Sequence, residues 1–151
     1  MMRYCSFDIV FQEVPGEVTL ALNITNCPFH CHGCHSPHLW EDTGEILDET
    51  ELIRLIDLYR GEVTCVCFMG GDADPETVAA LARVARAEGV KTAWYSGRTE
   101  LPSCMTVELW DYLKLGPYRE ELGGLRSRTT NQRFYRIQDG QLLDETARFY
   151  R

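Results

Sequence analysis

Three cysteines spaced C-x3-C-x2-C, at Cys27, Cys31 and Cys34, constrain this chain more than any other feature. They follow an apolar, strand-like run, Val18 to Ile24, and four histidines stand among or just after them: His30, His32, His35 and His38. A thiolate is a soft ligand and selects iron–sulfur clusters, zinc or copper(I). A cubane cluster is usually held by four cysteines, so three would leave one iron without a protein ligand. An open position on a metal marks a catalytic site rather than a purely structural one. On the residues alone, three readings stay open. One is a zinc site completed by a histidine. The second is an iron–sulfur electron carrier whose fourth ligand comes from Cys65, Cys67 or Cys104. The third is a three-ligand cluster that binds a substrate or cofactor at its open iron. Structural zinc loops more often pair one C-x2-C with a second pair farther on, and this chain has no second pair.

The flanking pattern alternates strands and helices. Phe7 to Phe11 reads as a short strand, and Val18 to Ile24, nearly all apolar, as a strand covered on both faces. Asp48-Glu49-Thr50-Glu51 has the form of a helix N-cap. Leu52, Leu55, Ile56 and Tyr59 then recur at helical spacing, up to Gly61. Glu62 to Phe68 is the next strand and runs into Met69-Gly70-Gly71-Asp72. Asp74-Pro75 opens a second helix with the stripe Val78, Leu81, Ala82 and Ala85, closed by Gly89. Val90 to Tyr95 ends at Ser96-Gly97, and Val107 to Leu115 ends at Gly116-Pro117. Residues 118–132 read as a long loop. Gln132 to Ile137 and Gln141 to Leu143, joined by Asp139-Gly140, read as a hairpin. This order predicts an α/β fold with a parallel sheet of βαβ units, and places the cysteine stretch and Gly70-Gly71 on the same sheet edge. Glycines without a Cβ there let main chain approach a ligand; a tight strand-to-helix turn explains them equally well.

At 151 residues and 44% hydrophobic, one domain with a sizeable core is expected over residues 1–151. No apolar run is long enough for a membrane span. Met1 to Ser6 lacks the basic-then-apolar order of a signal peptide. Seven cysteines, an odd count, argue for a reducing, cytoplasmic setting rather than a secreted disulfide framework. Cys65 and Cys67 share one face of a strand and read as small core hydrophobes, as do the isolated Cys5 and Cys104. The net charge of −8 is uneven: −11 over residues 1–113 and +3 over 114–151. The acidic body argues against nucleic-acid binding. Arg119, Arg126, Arg128 and Arg133 stand in the basic C-terminal part, either as a docking patch or as an ordinary solvated face.

Together, Cys27-x3-Cys31-x2-Cys34 and Gly70-Gly71-Asp72 resemble the radical S-adenosylmethionine (SAM) superfamily. Five further stretches narrow the resemblance. They are Asn26-Cys27-Pro28; Cys34-His35-Ser36-Pro37-His38-Leu39-Trp40; Met69-Gly70-Gly71-Asp72; Trp94-Tyr95-Ser96-Gly97; and Leu115-Gly116-Pro117-Tyr118 with Asn131-Gln132-Arg133. With these, most of the chain resembles the small activating proteins of anaerobic (class III) ribonucleoside-triphosphate reductases. The resemblance implies a partial (β/α) barrel of the radical SAM type, a parallel sheet with helices outside; a full eight-stranded barrel commonly takes about 250 residues. It implies that Cys27, Cys31 and Cys34 ligate three irons of a 4Fe–4S cluster and that SAM chelates the fourth. Gly70 and Gly71 would line its methionine end, and Gly33, Cys34, His35, Tyr95 and Ser96 would lie near cluster and adenosine. The implied activity is one-electron cleavage of SAM, with a 5′-deoxyadenosyl radical then taking hydrogen from a glycine Cα of the reductase large subunit. A flavodoxin-like protein would donate the electron, and no catalytic side chain is required. Two departures stand out. Gly33 occupies the place where the superfamily often has an aromatic residue, which His35 or Trp40 would have to replace. Asp72 stands where many relatives have Glu.

Overall fold

The computed structural model describes residues 2–25 and 44–150. The cysteine stretch, Gly33, His35 and Trp40 lie outside the described residues.

The sheet has eight strands: β1 (Arg3–Val10), β2 (Thr19–Ile24), β3 (Glu45–Ile46), β4 (Cys65–Met69), β5 (Lys91–Tyr95), β6 (Tyr112–Leu115), β7 (Arg133–Gln138) and β8 (Gln141–Asp144). Their spatial order is β3-β1-β2-β4-β5-β6-β7-β8. Only the middle four, β2, β4, β5 and β6, run parallel. β1 and β3 close one side antiparallel, and the β7–β8 hairpin closes the other. The fold is therefore α/β with a partly parallel sheet, compatible with a partial barrel. Among the described residues no helix is long and apolar enough to cross a membrane.

Helices α1 (Glu49–Leu58) and α2 (Pro75–Ala87) begin where their caps predict. Asp48 accepts from the Glu51 amide at 2.9 Å and Asp74 from the Thr77 amide at 3.2 Å. Each satisfies one of the amide donors that a helix start leaves open. Both helices bury their stripes against one face of the sheet. Leu52, Leu55, Ile56, Val78, Leu81 and Ala82 meet Leu20, Leu22, Val66, Phe68, Trp94 and Leu113 there. The opposite face carries a smaller layer of Val14, Cys65, Cys67, Ala93, Tyr112 and Phe134, with Met69, Tyr95, Leu125 and Phe149 packed on it. Cys65 and Cys67 are fully buried in this inner layer, as their shared strand face requires.

Three local expectations are corrected. β1 starts at Arg3 and ends at Val10, leaving Phe11 66% exposed. Glu62 to Thr64 belong to the turn before β4, because their main chain bonds back to Tyr59 and Val18. Val107–Leu109 is a 3-10 turn rather than strand, since Leu109 and Trp110 amides return to Thr106 and Val107. Strand β3 and the terminal 3-10 turn Thr146–Phe149 had no sequence signal. The predicted hairpin forms, with Asp139 and Gly140 both at positive φ as a tight primed turn needs.

Candidate functional site

The C-terminal edge of the parallel strands gathers Thr25, Gly70, Gly71, Asp72, Ser96, Gly97, Arg98 and Gly116. Thr25 is the last described residue before the cysteine stretch. Its amide and hydroxyl both donate to the Arg3 carbonyl, at 3.0 and 3.2 Å. Gly44, where description resumes, accepts from the Arg3 guanidinium at 3.0 Å. One residue of β1 thus holds both Thr25 and Gly44. Gly70 abuts Ile24, the last residue of β2.

Gly70 and Gly71 have φ of +102° and +86°. A Cβ on Gly70 would lie 3.1 Å from the Ile24 carbonyl oxygen, and one on Gly71 only 2.6 Å from Val78 Cγ2. The turn itself therefore requires both glycines, and the space a side chain would fill belongs to the protein. Gly70 is also fully engaged: its amide donates to the Tyr95 carbonyl at 3.0 Å, and its carbonyl accepts from Trp94 Nε1 at 2.6 Å. What the turn can offer a ligand is main chain held rigidly by β2, β5 and α2.

Asp72 is 5% exposed. Ser96 Oγ donates to its Oδ1, and the Gly97 amide to its Oδ2 at 3.2 Å. Arg98 Nη2 donates to the Asp72 carbonyl at 3.0 Å while Nε stands 3.7 Å from Oδ1. Burial pushes the Asp72 carboxyl up, and these donors and the Arg98 charge offset that only in part.

On the inner face, one rank crosses the sheet in register: Ser6, Asn23, Met69, Tyr95, Lys114 and Phe134. It is the last rank before the C-terminal edge. The Tyr95 hydroxyl is buried without a hydrogen-bond partner among the described residues, and burial holds its proton tightly. Lys114 Nζ lies 5.8 Å from the centre of the Tyr95 ring and donates to the Gly116 carbonyl at 3.4 Å. So Gly70, Gly71, Tyr95 and Ser96 are all at one edge, with Tyr95 facing the inner layer and Ser96 turned to Asp72. Cys27, Cys31, Cys34, Gly33 and His35 lie outside the described residues. Sequence reasoning missed Lys114, although a charge two residues from Tyr112 in an apolar strand was a usable signal. It also missed Arg3 and Arg98, whose partners are remote in sequence.

The cysteines considered as a fourth ligand are placed poorly for it. Cys65 pairs in register with Thr19, four residues below Met69, or about 13 Å from the edge. Burial pushes the thiols of Cys65 and Cys67 up, as for small core hydrophobes. Cys104 lines a cleft with Arg83 and Arg86 of α2. Arg86 also reaches Asp111, just before β6, placing that cleft toward the opposite edge. Among the described residues no group of three His, Cys, Asp or Glu side chains is assembled for a metal.

The family model of the 4Fe–4S single cluster domain matches residues 14–134. No curated protein and no solved structure shows significant similarity to the chain.

Proposed function

Because the chain belongs to the 4Fe–4S single cluster domain family and is a domain of the radical SAM type, we propose that it is a glycyl-radical activase acting on an anaerobic ribonucleoside-triphosphate reductase. The matched span carries this reading: residues 14–134 enclose the cysteine stretch, the Gly70–Asp72 turn and the Tyr95-Ser96 strand end. The cofactors are a 4Fe–4S cluster and SAM.

The residues present fit those groups. Cys27, Cys31 and Cys34 are three soft donors that follow β2 in the sequence, and they would hold three irons. Gly70 and Gly71 would present rigid main chain to the methionine end of SAM. Gly33, Cys34, His35, Tyr95 and Ser96 would stand toward cluster and adenosine, and the unpartnered Tyr95 hydroxyl suits a polar ligand edge. When bound, the two cofactors supply reductive C–S cleavage and hydrogen-atom abstraction from a glycine Cα of the partner. The chain orients and shields. Cys65, Cys67 and Ala93 form an apolar floor beneath the last inner rank. Lys114 adds positive charge at that rank, where a carboxylate is stabilised.

The partner would be the reductase large subunit and the electron donor a flavodoxin-like protein. Arg119, Arg126 and Arg128 are exposed and would dock the partner; the Arg128 guanidinium lies 5.2 Å from the centre of the Tyr150 ring, and Arg133 stands 3.7 Å from Asp144. Oxygen-free reconstitution with iron and sulfide, followed by dithionite and SAM, should yield 5′-deoxyadenosine. The reductase added to that mixture should show a glycyl radical by EPR. Cys27→Ala, Cys31→Ala and Cys34→Ala should each abolish both signals, while Cys65→Ala, Cys67→Ala and Cys104→Ala should keep the cluster. 5′-Deoxyadenosine without a glycyl radical on that reductase would instead identify another small radical SAM enzyme, acting on a different glycyl-radical enzyme or a small molecule; a cluster without SAM cleavage would identify an electron carrier, and a colourless zinc protein an interaction module.

A further inference from the structure

In a radical SAM domain the acidic residue after a Gly-Gly pair is an obvious candidate to meet the amino group of SAM. The hydrogen bonds at Asp72 point elsewhere. Both carboxylate oxygens are turned onto the neighbouring strand end, one taken by Ser96 Oγ and the other by the Gly97 amide. Ser96 Oγ is itself held, because it accepts from the Arg98 amide at 3.0 Å while donating to Asp72. Arg98 closes the circuit through the Asp72 carbonyl. The next strand is joined as well: the Gly116 amide donates to the Arg98 carbonyl at 2.6 Å, and the Ser96 amide to the Lys114 carbonyl at 2.9 Å. Each oxygen has one donor, and with only 3% of the side chain exposed the carboxylate presents almost no surface to an ammonium group.

Resting on the proposed cofactor reading, we propose that Asp72 is a positioning residue. Its carboxylate locks the Gly70-Gly71 turn to the Ser96-Gly97 turn and so sets the spacing of the two halves of the SAM cradle without touching SAM. Trp94 Nε1 on the Gly70 carbonyl and Arg98 Nη2 on the Asp72 carbonyl also cross between the two strand ends, but only the Asp72 carboxylate reaches both Ser96 and Gly97. A small slip between the two turns would misplace both main-chain surfaces together, so Ser96 matters as much as Asp72.

The test uses full-length, cluster-loaded, oxygen-free protein and the variants Asp72→Asn, Ser96→Ala, the double variant and Asp72→Glu. SAM affinity should weaken about tenfold in Asp72→Asn and similarly in Ser96→Ala, the effect of losing one charge-assisted hydrogen bond. The double variant should be little worse than either alone, because both remove one link. Iron content and the EPR spectrum of the reduced cluster without SAM should match wild type, and the SAM-induced change in that spectrum should diminish. Asp72→Glu should recover part of the affinity. Wild-type affinity in Ser96→Ala together with abolished binding in Asp72→Asn would overturn the proposal and make Asp72 a direct ligand. Additive losses in the double variant would overturn it too. If cluster-loaded wild type bound no SAM, the cofactor reading would fail instead. Amide exchange at Gly97 in cofactor-free Asp72→Asn then still decides the tie: faster exchange supports it, and unchanged exchange refutes it.

Discussion

Two buried carboxylates stand at opposite edges of the same four parallel strands, and they are solved differently. Glu17, at the N-terminal edge, accepts from Tyr112 Oη at 2.6 Å, Lys91 Nζ at 2.9 Å and Thr64 Oγ1 at 2.7 Å. Each donor begins or precedes a different strand, so one side chain staples β4, β5 and β6 to the segment before β2. Burial alone would raise its carboxyl, but Tyr112, Lys91 and Thr64 outweigh that and hold it below the usual range. Asp72, at the C-terminal edge, has a hydroxyl, an amide and a more distant guanidinium, and its carboxyl stays raised. The closed edge is fully compensated and carries stability. The edge with the candidate site retains uncompensated burial, as positions reserved for function often do.

Substitutions can break this contrast. Glu17→Ala should cost the most, about 3 kcal/mol, because it strands a buried phenol and a threonine hydroxyl; urea unfolding of the purified protein measures it. Gly71→Ala should follow at about 2 kcal/mol, from positive φ and the overlap with Val78. Equal stability to wild type would show that the turn relaxes easily. Tyr112→Phe should cost about 1 kcal/mol. Lys91→Ala should cost about 0.5 kcal/mol, since its side chain is 53% exposed and solvent screens the pair.

The pH dependence sharpens the same contrast because the two signs oppose. Glu17 titrates lower in the folded state, so its contribution is complete above the unfolded value of about 4.3 and is lost as pH falls through the folded one. Asp72 titrates higher, so its contribution is complete below about 3.9 and is lost as pH rises through its folded value. Unfolding free energies between about pH 3 and 7 should therefore show Glu17→Gln falling further behind wild type as pH rises. Asp72→Asn should gain on wild type over the same range. Parallel curves for the two variants would remove the distinction.

Helix α1, helix α2 and the β7–β8 turn were legible because their signals are local. Asp48, Asp74-Pro75 and Asp139-Gly140 act within three or four residues. Cys65 and Cys67 were readable as core from the two-residue period of a strand. β3 was not legible, since two exposed residues carry no pattern and only pairing with Arg3 and Tyr4 makes them a strand. Val107 to Leu109 misled because their apolar character suits a 3-10 turn beneath α2 as well as a strand.

The cysteine spacing and the family's cofactors were determined by the sequence alone, because ligand type and interval are local properties of the chain. So was the alternation of strands and helices that puts Gly70-Gly71 at one edge of the sheet. Only the tertiary structure decided that the parallel run stops at four strands, because antiparallel closure depends on which edges remain to be paired. It alone joined Asp72 to Ser96 and Arg98, and Glu17 to Lys91 and Tyr112. These groups are 24 to 95 residues apart in the chain, and only the packing of adjacent strand ends brings them within hydrogen-bond reach.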